Sequence, residues 1–76
     1  MQERLTMAVI IIGQFKDTHQ THFINKNNTD DSLRRTRVER YATQFKTREL
    51  ASAFLDKMKI NNKRFDECIY SFKDIR

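Results

Sequence analysis

The chain has 76 residues, fifteen Lys or Arg against ten Asp or Glu, and a net charge of +5. That length allows one small domain, which buries only about 60% of the surface its unfolded chain exposes. A single cysteine, Cys68, rules out an intramolecular disulfide, and a single glycine rules out a glycine-rich phosphate loop.

The lone thiol fits a reducing cytoplasm better than a secreted fold, so the expected location is cytoplasmic. The lack of proline argues against a linker-rich or disordered chain. The positive balance favours polyanionic partners: nucleic acid, a nucleoprotein or an acidic protein surface. The plainer alternative is a domain with a mildly basic face.

Arg4 and the apolar run Met7–Ile12 resemble a signal peptide superficially. The run has only six residues and lacks a small-x-small cleavage pattern after it. It is also far short of the roughly 18 residues a membrane span needs, so no membrane association is expected. Its β-branched Val9, Ile10, Ile11 and Ile12 predict a centrally buried strand from Thr6 to Lys16, with Gly13 marking a bulge. Asp17–Gln20 supplies a turn, and Thr21–Ile24 a second strand that forms a hairpin with the first. Asn25–Ser32 reads as an exposed polar loop.

Two readings stand for the next segment. Arg35–Tyr41 fits a third strand, with Tyr41, Thr43 and Phe45 on one face. Val38, Tyr41, Ala42 and Phe45 also match the helical i, i+3, i+4, i+7 spacing, with Asp30, Asp31 or Ser32 as a cap. Thr47 then caps a helix whose apolar stripe is Leu50, Ala51, Phe54, Leu55 and Met58. Asn61-Asn62-Lys63 ends it, and Glu67–Ile75 is a final strand. The order β-β-β-α-β implies an α+β fold: a three- to four-stranded, mostly antiparallel sheet with one main helix on one face. Phe15, Phe23, Phe45, Phe54 and Phe72 are expected to fill most of the core.

Catalytic and metal chemistry finds little footing, and no enzyme activity, metal or cofactor is expected. His19 and His22 lie three apart in a hairpin and would point to opposite faces of a strand, so they read as exposed hairpin residues. Cys68 lacks a spaced base and reads as a buried structural thiol. The basic stretch is stronger. Arg34, Arg35, Arg37 and Arg40 fall within seven residues, and Lys46 and Arg48 flank the helix N-terminus. The planar fork of arginine suits phosphate and guanine, and helix N-termini favour anions. Lys63 and Arg64 could extend the patch. The competing reading is a solvated edge strand whose charges prevent aggregation.

The junction Phe45-Lys46-Thr47-Arg48-Glu49-Leu50-Ala51, continued by Phe54-Leu55, resembles the arm-DNA-binding N-terminal domain of phage and transposon tyrosine integrases. There an aromatic residue ends the third strand, a Thr caps the helix and an Ala sits on its first turn. The resemblance covers about Val38 to Lys59. It implies DNA binding through a basic sheet face, with Arg34, Arg35, Arg37 and Arg40 as contacts. The same strand-turn-helix pattern also resembles small prophage accessory proteins, including some anti-CRISPR proteins, which implies stoichiometric inhibition of a host complex. The functional expectation is therefore a phage-type binding protein for nucleic acid or a nucleoprotein. A protein-targeted inhibitor and a small homodimeric module are the alternatives.

Overall fold

The computed structural model describes residues 8–75. Four strands, β1 (Ala8–Phe15), β2 (Thr21–Ile24), β3 (Arg35–Thr36) and β4 (Cys68–Ile75), form an antiparallel sheet in the order β3-β2-β1-β4. One main helix, α1 (Arg48–Asn61), packs on it, which is the expected α+β arrangement. Residues 6 and 7 of the expected first strand, and Arg4, lie outside the described residues.

The apolar run becomes the central strand because both of its faces find cover. Antiparallel partners share a face and neighbours along a strand alternate. The register therefore puts Val9, Ile11, Gly13, His22, Ile24, Tyr70 and Phe72 on one face, and Ile10, Ile12, Phe23, Ile69, Ser71 and Lys73 on the other. The helix covers the first face, packing Ala51 and Met58 onto Val9, Ile11 and Ile24, with Phe45, Phe54, Leu55, Tyr70 and Phe72 around them. Beyond the end of α1, a 3-10 turn at Lys63–Glu67 sets Phe65 against Tyr70 at 4.7 Å.

The third strand is shorter than the sequence reading expects. It holds only Arg35 and Thr36, and neither a long strand nor an α-helix occupies 37–45. Thr36 Oγ1 accepts a bond from the Val38 amide (3.3 Å), and a 3-10 turn follows at Glu39–Tyr41. The chain leaves the sheet edge in order to cross the second face. There Glu39 receives Lys73 Nζ at 3.1 Å, and Ile10 beneath is almost fully buried. Phe45 then exchanges two 2.8 Å backbone bonds with Val9, along the stretch of β1 that the short β2 leaves open. The strand expected at Arg35–Tyr41 thus stops at Thr36.

Three other expectations change. The phenylalanines rim the core rather than fill it: the fully buried large side chains are Ile10, Ile11, Ile24 and Leu33. Leu50 is 53% exposed, so the buried stripe of α1 rests on Ala51 and Met58. Gly13 marks no bulge, since β1 and β4 pair without interruption over eight positions. Its lack of a side chain instead makes room for His22.

The helix begins where expected. Thr47 is in extended conformation, and its Oγ1 accepts from the Leu50 amide at 3.1 Å. At the other end Asn62 joins three segments: Oδ1 accepts from Arg64 N (2.9 Å) and Nδ2 donates to the Ser32 carbonyl (2.7 Å). This ties the 25–34 loop to the end of the helix. The loop is further held by Asp31 Oδ1, which accepts from Leu33 N, and by Asn28 Nδ2, which donates to the Arg35 carbonyl.

Candidate nucleic-acid interface

The six basic residues singled out in the sequence do not form one face. Arg34 takes a positive φ of 50° as the chain turns into β3, and its Nη1 donates to the Lys26 carbonyl at 2.6 Å. That conformation swings it away from Arg35. Arg35 is committed to the fold: Nε bonds Asp31 Oδ2 at 2.6 Å, and the guanidinium sits 5.2 Å from the Phe15 ring centroid. Arg37 is exposed, and Arg40 lies 5.3 Å over the ring of Tyr41. Arg48 is at the opposite end of the molecule, reaching Asp74 at 3.4 Å and Phe72 at 5.8 Å. Lys46 is exposed beside the start of α1.

Two of the six, Arg34 and Lys46, meet cations that sequence spacing does not connect to them. Lys26 from the loop and Lys57 from α1 join Arg34 around a groove of about 520 Å³ between the loop and the C-terminal half of the helix. Asn27, Asn61 and Asn62 add amide groups, and Phe54 and Met58 form its apolar wall. Lys26, Phe54 and Lys57 also line a wider trough of about 800 Å³ that runs back along α1 to Phe45, Leu50 and Lys46. One continuous track therefore carries Arg34, Lys26, Lys57 and Lys46 over an aromatic and aliphatic floor. Among the described residues, Asp56 is the one carboxylate on its walls.

Ion pairing separates this track from only part of the basic surface, since Lys16, Arg37, Arg40, Lys59 and Lys63 are likewise in no ion pair among the described residues. Among the described residues, the paired cations are Arg35, Arg48, Arg64 and Lys73. None of the four groove cations is in an ion pair there. Paired charges are held by fold geometry, whereas unpaired ones keep their field available to a ligand. The sequence signal for Lys57 is its place one turn beyond Phe54 and Ala53, on the flank of the buried stripe. Lys26 has no comparable signal, since it reaches the helix only through the loop fold.

A second polar cluster occupies the same sheet face beyond the helix. His22 is 2% exposed and neither ring nitrogen has a hydrogen-bond partner in the described structure, which corrects the expectation of an exposed hairpin residue. His19, by contrast, is exposed at a positive φ of 63°. The two histidines do not converge. The His22 ring stacks obliquely on Phe15 at 5.2 Å and meets Tyr70 edge-on at 6.4 Å. Leaving a buried polar group unsatisfied costs about 1–3 kcal/mol.

Burial, followed by the charge of Arg35, pushes the His22 imidazole below its ordinary value, and Asp31 opposes this weakly. Burial pushes Asp31 upward, but the Arg35 bond, the Leu33 amide and the charges of Arg35 and Arg64 bring it below its usual value. Burial raises both Cys68 and Tyr70. A thiol so raised stays protonated at neutral pH and packs as a small apolar group.

Comparison with protein families, curated proteins and solved structures finds no match to this chain. Among the described residues, no helix is long and apolar enough to cross a membrane.

Proposed function

We propose that the protein acts by stoichiometric, non-catalytic binding of nucleic acid, alone or within a nucleoprotein. The observation that carries this reading is the track of four cations, Lys26, Arg34, Lys46 and Lys57, in no ion pair among the described residues, over a floor that includes Phe45 and Phe54. Cations that follow a backbone beside exposed aromatic faces are the common design for single-stranded nucleic acid. The net charge of +5 would steer such a ligand from a distance. The resemblance of the Phe45–Leu55 junction to integrase arm-binding domains supports a phage or mobile-element accessory role in the cytoplasm.

Titrating labelled single-stranded and duplex DNA and RNA over a salt series tests this reading. Affinity falls with salt at a slope of about −0.7 per phosphate neutralised on single strands and about −0.9 on duplex. Absence of binding at low salt overturns the proposal.

A second reading, docking to protein through the sheet, is favoured by the surface opposite α1. Tyr41 is 55% and Ile69 60% exposed, with Ile12 and Phe23 half-buried on the sheet face opposite α1. The outer edge of β4 has no strand partner among the described residues. Charges that discourage edge pairing are present in Lys73 and Asp74, yet Glu39 and Arg48 neutralise them. The occupant in this reading is a second copy, paired β4 to β4 in a two-fold dimer. Sedimentation over a range of concentrations tests the dimer, and a monomer throughout rules the dimer out. An inhibitor of a host protein complex, of the anti-CRISPR kind, would use the same edge as a monomer.

A further inference from the structure

We infer that the cavity between β2 and β3 at the His22 end of the sheet is a binding site for a phosphomonoester, distinct from the groove beside α1. The cavity holds about 230 Å³, more than a phosphate alone needs and enough for a small group attached to it. Its donors come from two sides. Arg35 and Arg37 stand at β3, and Gln20 and Thr21 at the start of β2, with Thr36 between them. A tetrahedral oxyanion, whose oxygens diverge, suits donors on several sides better than a planar carboxylate does.

His22 closes the cavity behind the arginines. It forms the inner wall of the cavity, is 2% exposed, and leaves both imidazole nitrogens without a partner in the described structure. Buried polar groups are almost always bonded, and exceptions mark functional sites or bound water. Position 13 is glycine beneath this ring: a Cβ there would lie 2.5 Å from Nε2. Nε2 therefore faces the backbone of β1, and the charged donors of the cavity are Arg35 and Arg37.

The local charge also fits. Asp31 is the acidic member of the lining, and the 2.6 Å bond to Arg35 Nε neutralises it while leaving the two Nη groups of Arg35 free of bonds among the described residues. Phe15 holds the guanidinium plane at 5.2 Å. Arg37 adds an exposed positive charge, and Arg64 acts on Asp31 from the 3-10 turn. A guanidinium fixed by a carboxylate on one edge and an aromatic face on the other is preorganised for a phosphate.

The test is a heteronuclear NMR titration with inorganic phosphate, adenosine 5′-monophosphate, and an oligonucleotide with or without a 5′-phosphate. The expected result is saturable movement of the His22, Thr21 and Gln20 resonances. Arg37→Ala should weaken it at least tenfold, and the exposed position keeps the fold intact. His22→Phe should weaken it too, with its dispersed spectrum showing that the fold persists. Binding of the mononucleotide but not of the terminal phosphate assigns a free small ligand, and the reverse assigns a strand end. Lys57→Glu separates this from the groove, since it should weaken oligonucleotide binding along α1 and leave the cavity response unchanged. No saturable shift with any probe, or one indifferent to Arg37→Ala, overturns the inference and leaves a water-filled cavity only.

Discussion

The ring of His22 occupies the space that a side chain at Gly13 would need. A Cβ on Gly13 would stand 2.5 Å from Nε2, 2.8 Å from Cε1 of His22 and 3.0 Å from Cε1 of Tyr70. The ring cannot swing aside cheaply, because Phe15 and Tyr70 hold it on two sides. Gly13→Ala should therefore destabilise by about 1–3 kcal/mol, as overpacking does, even though alanine suits a strand better than glycine. In Gly13→Ala/His22→Ala the clash is gone, so the two changes should be non-additive by more than about 0.5 kcal/mol. Urea unfolding of the two single variants and the double variant measures this, and simple additivity contradicts it.

The same histidine sets a pH dependence. Its pKa in the folded state lies below the unfolded value of 6.5, so the unfolded chain takes up the proton first as pH falls. Stability rises with pH wherever the unfolded state binds more protons. The contribution of His22 is therefore complete above about pH 6.5 and declines below it. Asp31 acts in a lower window, holding its contribution until pH falls through the carboxylate range. Denaturation midpoints between pH 8 and pH 5 should fall for the natural chain and flatten in His22→Phe. A profile unchanged by that substitution assigns the slope to other groups.

Leu33 and Leu50 make opposite predictions from similar chemistry. Leu33 is fully buried under the loop, whereas Leu50 is 53% exposed. Truncating Leu33 to Ala should cost about 2–5 kcal/mol through lost burial and a residual cavity. Leu50→Ala should stay within about 0.5 kcal/mol. Thermal or urea midpoints decide it, and a large effect at Leu50 would mean that the helix packs in another orientation.

This contrast shows what local pattern can and cannot encode here. The helix and its cap are legible because Thr47 stands about one turn before Ala51, and Ala51 and Met58 stand about two turns apart on one face. Strand β1 is legible because four β-branched residues in succession suit burial on both faces. Leu33 is a lone apolar residue in a polar segment, with no period to announce it. The strand expected at Arg35–Tyr41 is cut short by a non-local requirement, the cover that Ile10 needs on the second face. The basic cluster divides for one local and one longer-range reason: Arg35 pairs with Asp31 only four residues back, while Arg34 turns toward Lys26 and, across the fold, Lys57. Contacts of the longer range leave no trace in spacing.

The helix cap offers a smaller, cleaner measurement. Thr47 Oγ1 bonds the Leu50 amide at 3.1 Å, satisfying one of the free donors at the start of α1. Thr47→Ala should cost about 1 kcal/mol and Thr47→Ser much less. The loss should be seen in denaturation and in faster amide exchange over the first turn of the helix. Equal stability of the Ala and Ser variants would exclude a capping role.

Charge reversal distinguishes the groove from the sheet-face surface that the integrase resemblance implies. On the groove reading, Lys26→Glu and Lys57→Glu each replace an attractive contact with a repulsive one on the same ligand. Together they should weaken oligonucleotide binding at least a hundredfold and reduce the salt slope by about two contacts' worth, near 1.4 to 1.8. Arg40→Glu, whose partner is the Tyr41 ring on the far side of the sheet, should lower affinity only through net charge. On the sheet-face reading the order reverses, and Arg37→Glu with Arg40→Glu carries the loss. Fluorescence anisotropy with one oligonucleotide at three salt concentrations resolves the two, because a net-charge effect shrinks with screening by the same factor at every position. A contact effect changes the slope itself. Equal losses from both pairs, shrinking alike as salt rises, would mean that neither surface makes direct phosphate contacts.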